Sequence, residues 1–457
     1  MSKPNSKPKS KPASQSQVLK KGIWGMSIPM IIDQMIVLSV PLADTFFLSH
    51  ISDNAAAGVG AVMPLLFMCS MILISISIAG SAVAGQRLGN EQNLDARASI
   101  VTYACLVFLV SIVIGSLLWF FGAQFSELIN LSDAIKEHTN VYLKYIAFVA
   151  VILGFRSVYQ TTLNLFGHPE YNTYANWTVA LLNIVGNAWV VFYTDYGVHG
   201  VAMMSVLSSL IGLLILMSVF HFKLNVELPI KYSIKQFKRL SKPILKIAIP
   251  SSLEPLSFDV YMIYLLWVVS QVGDVALTTR NYTYTTFIFC LAFSFAFGTA
   301  TQTIIAQLIG KKDFEQAQKT LVKGAKLAVI GSTSIAFIFF LLHPFILSLY
   351  TDNPEILKLG FGLFLISVFT EPGRAINIVV GGALRSAGDA KFNSFSAILL
   401  TWTIAAPLAY VLAIVMGFGI YGIFFAALFD EVIRALVAVW RWSTKKWMTY
   451  TVAAQEL

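Results

Sequence analysis

Apolar residues run through this chain in twelve long stretches, with polar residues gathered between them. The stretches lie near 23–48, 56–82, 98–121, 140–162, 173–193 and 198–222, then 245–270, 277–308, 322–348, 357–381, 392–416 and 419–440. A helix of about 20 apolar residues crosses the hydrocarbon core of a bilayer, and each stretch has roughly that length or more. The pattern therefore predicts an all-α polytopic membrane protein of twelve transmembrane helices.

The stretches repeat. IPMIID (Ile28–Asp33) returns as IPSSLE (Ile249–Glu254), GQRLG (Gly85–Gly89) returns as AQLIG (Ala306–Gly310), and Cys69 returns as Cys290, all at one constant offset. GVHG (Gly197–Gly200) pairs with GIYG (Gly419–Gly422) at nearly the same offset. An even number of spans per repeat makes both halves enter the membrane from one side. Two six-helix bundles related by a pseudo-two-fold axis along the membrane normal follow, with a cavity between them. The expected divisions are a basic tail (1–22), a first lobe (23–222), a linker (223–243), a second lobe (244–440) and a C-terminal tail (441–457).

Composition supports this picture. The chain is 57% hydrophobic and 12% charged, about half the charge of a soluble domain. Its net charge of +9 reflects topology and not a nucleic-acid surface. Lysine and arginine collect in the tail (Lys3 to Lys21), in the link from Lys223 to Lys246 and in the link from Lys311 to Lys326. Acids collect in the alternate loops, at Glu127, Asp133, Glu137, Asp195, Asp274, Asp352 and Glu355. The positive-inside rule then puts both termini in the cytoplasm of a cell whose inner membrane holds the protein. The tail Met1–Gln17 has no apolar core or cleavage signature, so a disordered segment near the anionic leaflet is expected and not a signal peptide. Cys69, Cys105 and Cys290 lie inside apolar runs without metal or redox spacing, which predicts small buried hydrophobes.

Candidate chemistry starts in the first span. It carries Asp33, Asp44, Pro29 and Pro41. A carboxylate at bilayer depth costs about 2.5–3.5 kcal/mol, so two of them call for partners or a function. Their spacing is close to three helical turns, so both acids share a face, and each proline removes a backbone hydrogen bond and permits bending. In span five, Asn183 and Asn187 are one turn apart, and Ser205 in span six lies at similar depth. One carboxylate with amide and hydroxyl oxygens suits a hard cation such as Na⁺, or a proton on the acid; the plainer reading is interhelical hydrogen bonding.

The second half has Glu254, the repeat mate of Asp33, and Asp259, with Pro250 and Pro255 predicting a broken helix. Glu371 with Arg374, and Asp430 with Arg434, have spacing for pairs within one helix. Arg156 has no local partner and is free to serve a carboxylate across the bundle. The aromatic wealth around Tyr261, Tyr264, Trp267, Tyr284 and Phe287 would suit organic cations lining a central cavity, although such residues also pack cores. Substrate-cavity candidates are thus Glu254, Asp259, Tyr284, Phe287, Glu371 and Arg374. No Walker loop, HExxH or Ser/His/Asp set appears, so the chain is not read as an enzyme or ATPase, and no cofactor or metal is expected beyond the coupling ion. The expected assembly is a monomer.

At this point the sequence resembles the multidrug and toxic compound extrusion (MATE) family of secondary transporters over nearly all of Ile23–Trp447. The resemblance is carried by Pro29 with Ala43–Thr45, by Gly85–Gly89, LNIVGN (Leu182–Asn187) and Gly197–Ser205, and then by LYTDNPE (Leu349–Glu355), GALRSAGD (Gly382–Asp389) and RWSTKKW (Arg441–Trp447). It implies export of cationic, lipophilic drugs in exchange for H⁺ or Na⁺ by a V-shaped pair of lobes. It also implies that Asp44 is the essential acid of helix one, that Asn183, Asn187 and Ser205 stand at its first-lobe cation site, and that Pro41 permits bending. Two departures stand out. Phe258 replaces a glutamate of one branch, and Asn187 stands where many members have aspartate, which favours H⁺ over a tight Na⁺ site. The rival within this fold is a flippase for a lipid-linked saccharide, which would want a basic cavity. The acids Asp33, Asp44, Glu254, Asp259, Glu371, Asp430 and Glu431 outnumber Arg156, Arg374 and Arg434 and argue against it.

Overall fold

A computed structural model describes residues 17–128, 133–223 and 233–450, and among them every regular element is a helix. The first six are α1 (Gln17–Ile51), α2 (Asp53–Gly89), α3 (Asn93–Leu128), α4 (Asp133–Leu165), α5 (Glu170–Tyr193) and α6 (Gly197–Lys223). The second six are α7 (Ile234–Val272), α8 (Asp274–Gly310), α9 (Phe314–Leu341), α10 (Pro354–Ser386), α11 (Ala390–Val415) and α12 (Gly419–Ser443). Eleven are long and apolar enough to span a bilayer; α12 has the length but carries Asp430, Glu431 and Arg434 in its middle. Side chains cap several starts, with Ser52, Ser233 and Asp313 each accepting from a backbone N–H three residues on, which satisfies donors a helix end leaves orphaned.

Several boundaries differ from the sequence reading. Helix α1 already runs from Gln17 among the described residues, so residues 17–21 of the expected tail are helical, with a break in helical backbone at Gly22 (φ +61°). Met1 to Ser16 lie outside the described residues. Helix α7 begins at Ile234, inside the expected linker, and its three prolines, Pro243, Pro250 and Pro255, leave it one continuous helix. Likewise α1 stays helical through Pro29 and Pro41. The expectation of a broken α7 fails because each proline removes one backbone bond while the neighbouring helices and side chains still hold the turn. Helix α11 departs from α geometry, with wide π turns at Thr401–Ala405 and Val411–Val415 on either side of Pro407, and α6 ends in another at Val219–Lys223. After α12, the turn Lys446–Thr449 buries Trp447, stacked on Trp442 at 4.2 Å.

The two lobes meet at the end that carries the basic links. There the first helix of each lobe crosses onto the other. Val18, Ile23, Met26 and Met30 of α1 are buried among α8, α10 and α12 residues, and Ile244, Ile247 and Ala248 of α7 are buried in the first-lobe core. The GQRLG and AQLIG segments touch directly. A Cβ on Gly89 would collide with the Gln307 carbonyl oxygen, and one on Gly310 would collide with that of Gln86. No side chain fits at either position. Gln86 donates to the Ser386 carbonyl, and Gln307 donates to the Leu165 carbonyl at 2.9 Å. Gln86 with Gln307 and Leu165 with Ser386 are two pairs at the repeat offset, so the seam obeys the repeat. Above it, Ser81, Thr161, Asn164, Thr299, Gln302 and Thr303 line the floor of a cleft between the lobes. Toward the acidic end, the second lobe's buried clusters are built from its own residues alone.

Candidate functional site

Helices α1 and α5 run side by side in the same direction, in fixed register. Asn176 donates to Asp33, and Asn187 donates to Asp44 Oδ1 at 2.7 Å, each pair 143 residues apart. Thr173 Oγ1 donates to the Pro29 carbonyl at 2.8 Å one turn below. Both acids of α1 therefore face α5, as their spacing predicts.

Around Asp44 the network continues. Asn187 Nδ2 also approaches Asn183 Oδ1 at 3.2 Å, and Asn183 Nδ2 reaches Ser205 Oγ at 3.4 Å. Asp44, Asn183 and Asn187 are buried (6%, 2% and 0% exposed). The Asn187 amide spends its donors on Asp44 and Asn183, which leaves its own carbonyl oxygen buried without a hydrogen-bond partner. An unpaired buried carbonyl is costly. Tyr142 of α4, fully buried, lies beside Ser205 and within electrostatic reach of Asp44. Sequence reasoning missed Tyr142, because a tyrosine in an apolar run gives no local signal.

Asp33 belongs to a separate group nearer the basic end. Asn176 bridges it to Arg156, whose guanidinium donates to the Asn176 carbonyl oxygen, and Gln160 joins at 3.4 Å. The arginine of α4 thus serves a carboxylate on α1 through an amide. Asn176 was also missed, yet it precedes Asn187 by the same spacing that separates Asp33 from Asp44.

The second-lobe candidates divide. Glu254 Oε2 accepts from Ser394 (3.0 Å), Asn393 (3.2 Å) and Arg385 (3.4 Å), with Glu254 and Arg385 each about a quarter exposed. Arg385 lies near Gln302 at the cleft floor. Asp259 Oδ2 is buried with no hydrogen-bond partner. Tyr284 is 47% exposed, with Arg280 over its ring at 5.8 Å. Two assignments to a cavity wall are corrected. Phe287 is buried edge-on against Phe339 and Phe364 inside the lobe, because its helical position faces α9 and α10. Glu371 is fully buried and pairs with Arg374, which also reaches Glu431, and Asn377 donates to Glu431 at 3.1 Å. With the Asp430–Arg434 and Arg434–Glu431 pairs this forms a nearly neutralised network between α10 and α12. Arg280 and Arg385 also lie on membrane-length helices, so the intramembrane charge is more balanced than the sequence count implied.

The model of the MatE family matches residues 29–189 and again 250–411, two segments set apart by the same offset that relates the repeated motifs. The chain belongs to the MatE family. A Bacillus subtilis relative named "Uncharacterized transporter YisQ" is 28% identical over 446 residues, covering 95% of this chain and 98% of that one. The "Probable multidrug resistance protein NorM" of Thermotoga maritima is 22% identical over 455 residues, covering 96% and 95%. Among solved structures, one described as the "Outward-facing conformation of a multidrug resistance MATE family transporter of the MOP superfamily" superposes with a TM-score of 0.87 at 18% identity, covering 95% of this chain and all of that one. This MatE chain therefore has the two-lobe MATE transporter fold, which is not an enzyme fold.

Proposed function

We propose that this chain is a secondary active multidrug efflux antiporter that exports cationic or lipophilic organic compounds in exchange for H⁺, with Asp44 as the coupling acid. The observation that carries the reading is the continuous hydrogen-bond chain of Asp44, Asn187, Asn183 and Ser205 across α1, α5 and α6. The amide of Asn187 points an N–H at Asp44. A Na⁺ ion, which needs oxygens, would require that amide to turn over, whereas a proton needs only the carboxylate. Protonating Asp44 removes the charge that Asn187 binds, loosening α1 from α5, and Pro41, one turn from Asp44, is where α1 then bends.

The basic end faces the cytoplasm in this reading. Its tight seam and the lobe-confined packing beyond it correspond to an outward-facing state. Ion and drug each favour a different state, which is what coupling requires. Asp33 and Glu254, nearer the cytoplasmic side, attract the cationic substrate.

The alternative, a flippase for a lipid-linked saccharide, draws support from Arg385 at the cleft floor. That guanidinium is held by Glu254, which weakens it as a pyrophosphate ligand. Ethidium uptake into inverted vesicles energised by a proton gradient tests the choice. Uptake that collapses with the gradient is expected; correctly inserted protein that moves no dye under a proton or a Na⁺ gradient would favour the flippase.

A further inference from the structure

One surface outside the transport site has its own chemistry. The first turns of α9 form a groove lined by Gln318, Lys319, Val322, Lys323, Lys326 and Ile330, with Leu327 beneath. Lysines 319, 323 and 326 recur at helical spacing on one face. Lys319 is held by Glu315 at 2.6 Å, while Lys323 and Lys326 are exposed and pair with no carboxylate among the described residues. Below them the same helix shows Ile330 (63% exposed), Phe337 (50%) and Leu341 (60%) outward. The groove thus sits where an apolar, lipid-facing helix surface gives way to charge.

The repeat supplies an internal control. In α3, the counterpart of α9, the positions that match the three lysines at the repeat offset are Ala98, Thr102 and Cys105. All three lysines are absent from the equivalent place in the first lobe, so the fold alone does not require them. At the rim of the groove, Trp442 Nε1 donates to Gln318 Oε1 and fixes that edge against α12. The N-terminal segment 1–16 is ruled out as an occupant by charge, since it carries Lys3, Lys7, Lys9 and Lys11 and no acid.

We propose that this α9 groove is a binding site for an anionic phospholipid. The headgroup phosphate lies among Lys319, Lys323 and Lys326, and an acyl chain follows Val322 and Ile330 toward the bilayer centre. Basic clusters at this depth attract anionic lipids by short-range electrostatics, and lysine supplies rotatable point charges suited to a mobile phosphate. The site would tie the second lobe, and not the first, to the lipid composition of its leaflet.

The test uses the full chain, purified and equilibrated with equal dioleoyl phosphatidylglycerol and dioleoyl phosphatidylcholine, with retained lipid counted by native mass spectrometry. The wild-type protein should retain phosphatidylglycerol preferentially. Lys323→Gln with Lys326→Gln should cut that preference about tenfold, and the double Lys→Arg variant should keep it. Lys235→Gln with Lys238→Gln, an equal loss of charge on α7, should leave it unchanged. An undiminished preference in the glutamine variant, or an equal loss in the α7 variant, would overturn the proposal. So would displacement of the lipid by glycerol phosphate alone, or a preference that emerges only when residues 451–457 are removed.

Discussion

The two lobes use the first helix of each repeat in opposite ways. In the first lobe, the Asp44 carboxylate of α1 is buried against amides and a hydroxyl, with no arginine in the hydrogen-bond network. In the second, Glu254 of α7 is half-buried and meets Arg385, and the buried acids Glu371, Asp430 and Glu431 are answered by Arg374 and Arg434. A carboxylate surrounded by neutral dipoles is free to change its charge. One locked to a guanidinium is not, because losing either partner strands a buried ion. On our proposal, the Asp44 end of the first lobe responds while the second lobe holds.

Carboxylate neutralisation in each lobe gives the sharpest contrast. Asp44→Asn should return drug resistance to the level of cells without the transporter, while Glu254→Gln should retain gradient-dependent efflux within about fivefold; equal loss in both, at equal expression, would erase the distinction. The seam comes next. Gly89→Val forces a side chain into the Gln307 carbonyl, and overpacking of this kind costs about 1–3 kcal/mol or more. It should open the basic end, seen as labelling of a cysteine placed at Gln302 in a protein lacking Cys69, Cys105 and Cys290.

Arginine removal separates buried from half-exposed pairing. Arg156→Met leaves Asp33 and Asn176 uncompensated inside the first lobe and should destabilise by about 3–5 kcal/mol. Arg385→Met acts on a pair about a quarter exposed to the cleft and should cost about 1 kcal/mol or less. Thermal melts of the two variants in one detergent check the order. The smallest effect on transport belongs to Phe287→Leu, a large-to-small core change that costs about 1–1.5 kcal/mol of packing, with the transport rate in vesicles expected to stay within about twofold.

Much of this was legible in the chain. The constant offset between repeated motifs announces the two lobes, and it reappears in the seam, where it relates the Gln86–Ser386 hydrogen bond to the Gln307–Leu165 hydrogen bond. The Asp33–Asp44 spacing announces a shared face, and α5 answers it residue for residue. What stayed hidden depends on which way a helix turns in the bundle. Phe287 and Tyr284 are one turn apart, yet one is core and the other exposed. Prolines in α7 look like breaks in isolation, but packing on both sides holds the helix. Tyr142 reaches Asp44 only because α4 packs against α1 and α6, which no local pattern records.

Proton release on substrate binding tests the central claim most directly. Purified protein in weakly buffered detergent, with a pH-sensitive dye, is mixed with tetraphenylphosphonium. If Asp44 exchanges its proton for a lipophilic cation, the wild-type protein acidifies the solution, equally in NaCl and KCl, and Asp44→Asn does not. Equal acidification by Asp44→Asn, or a response that exists only with Na⁺, would contradict it.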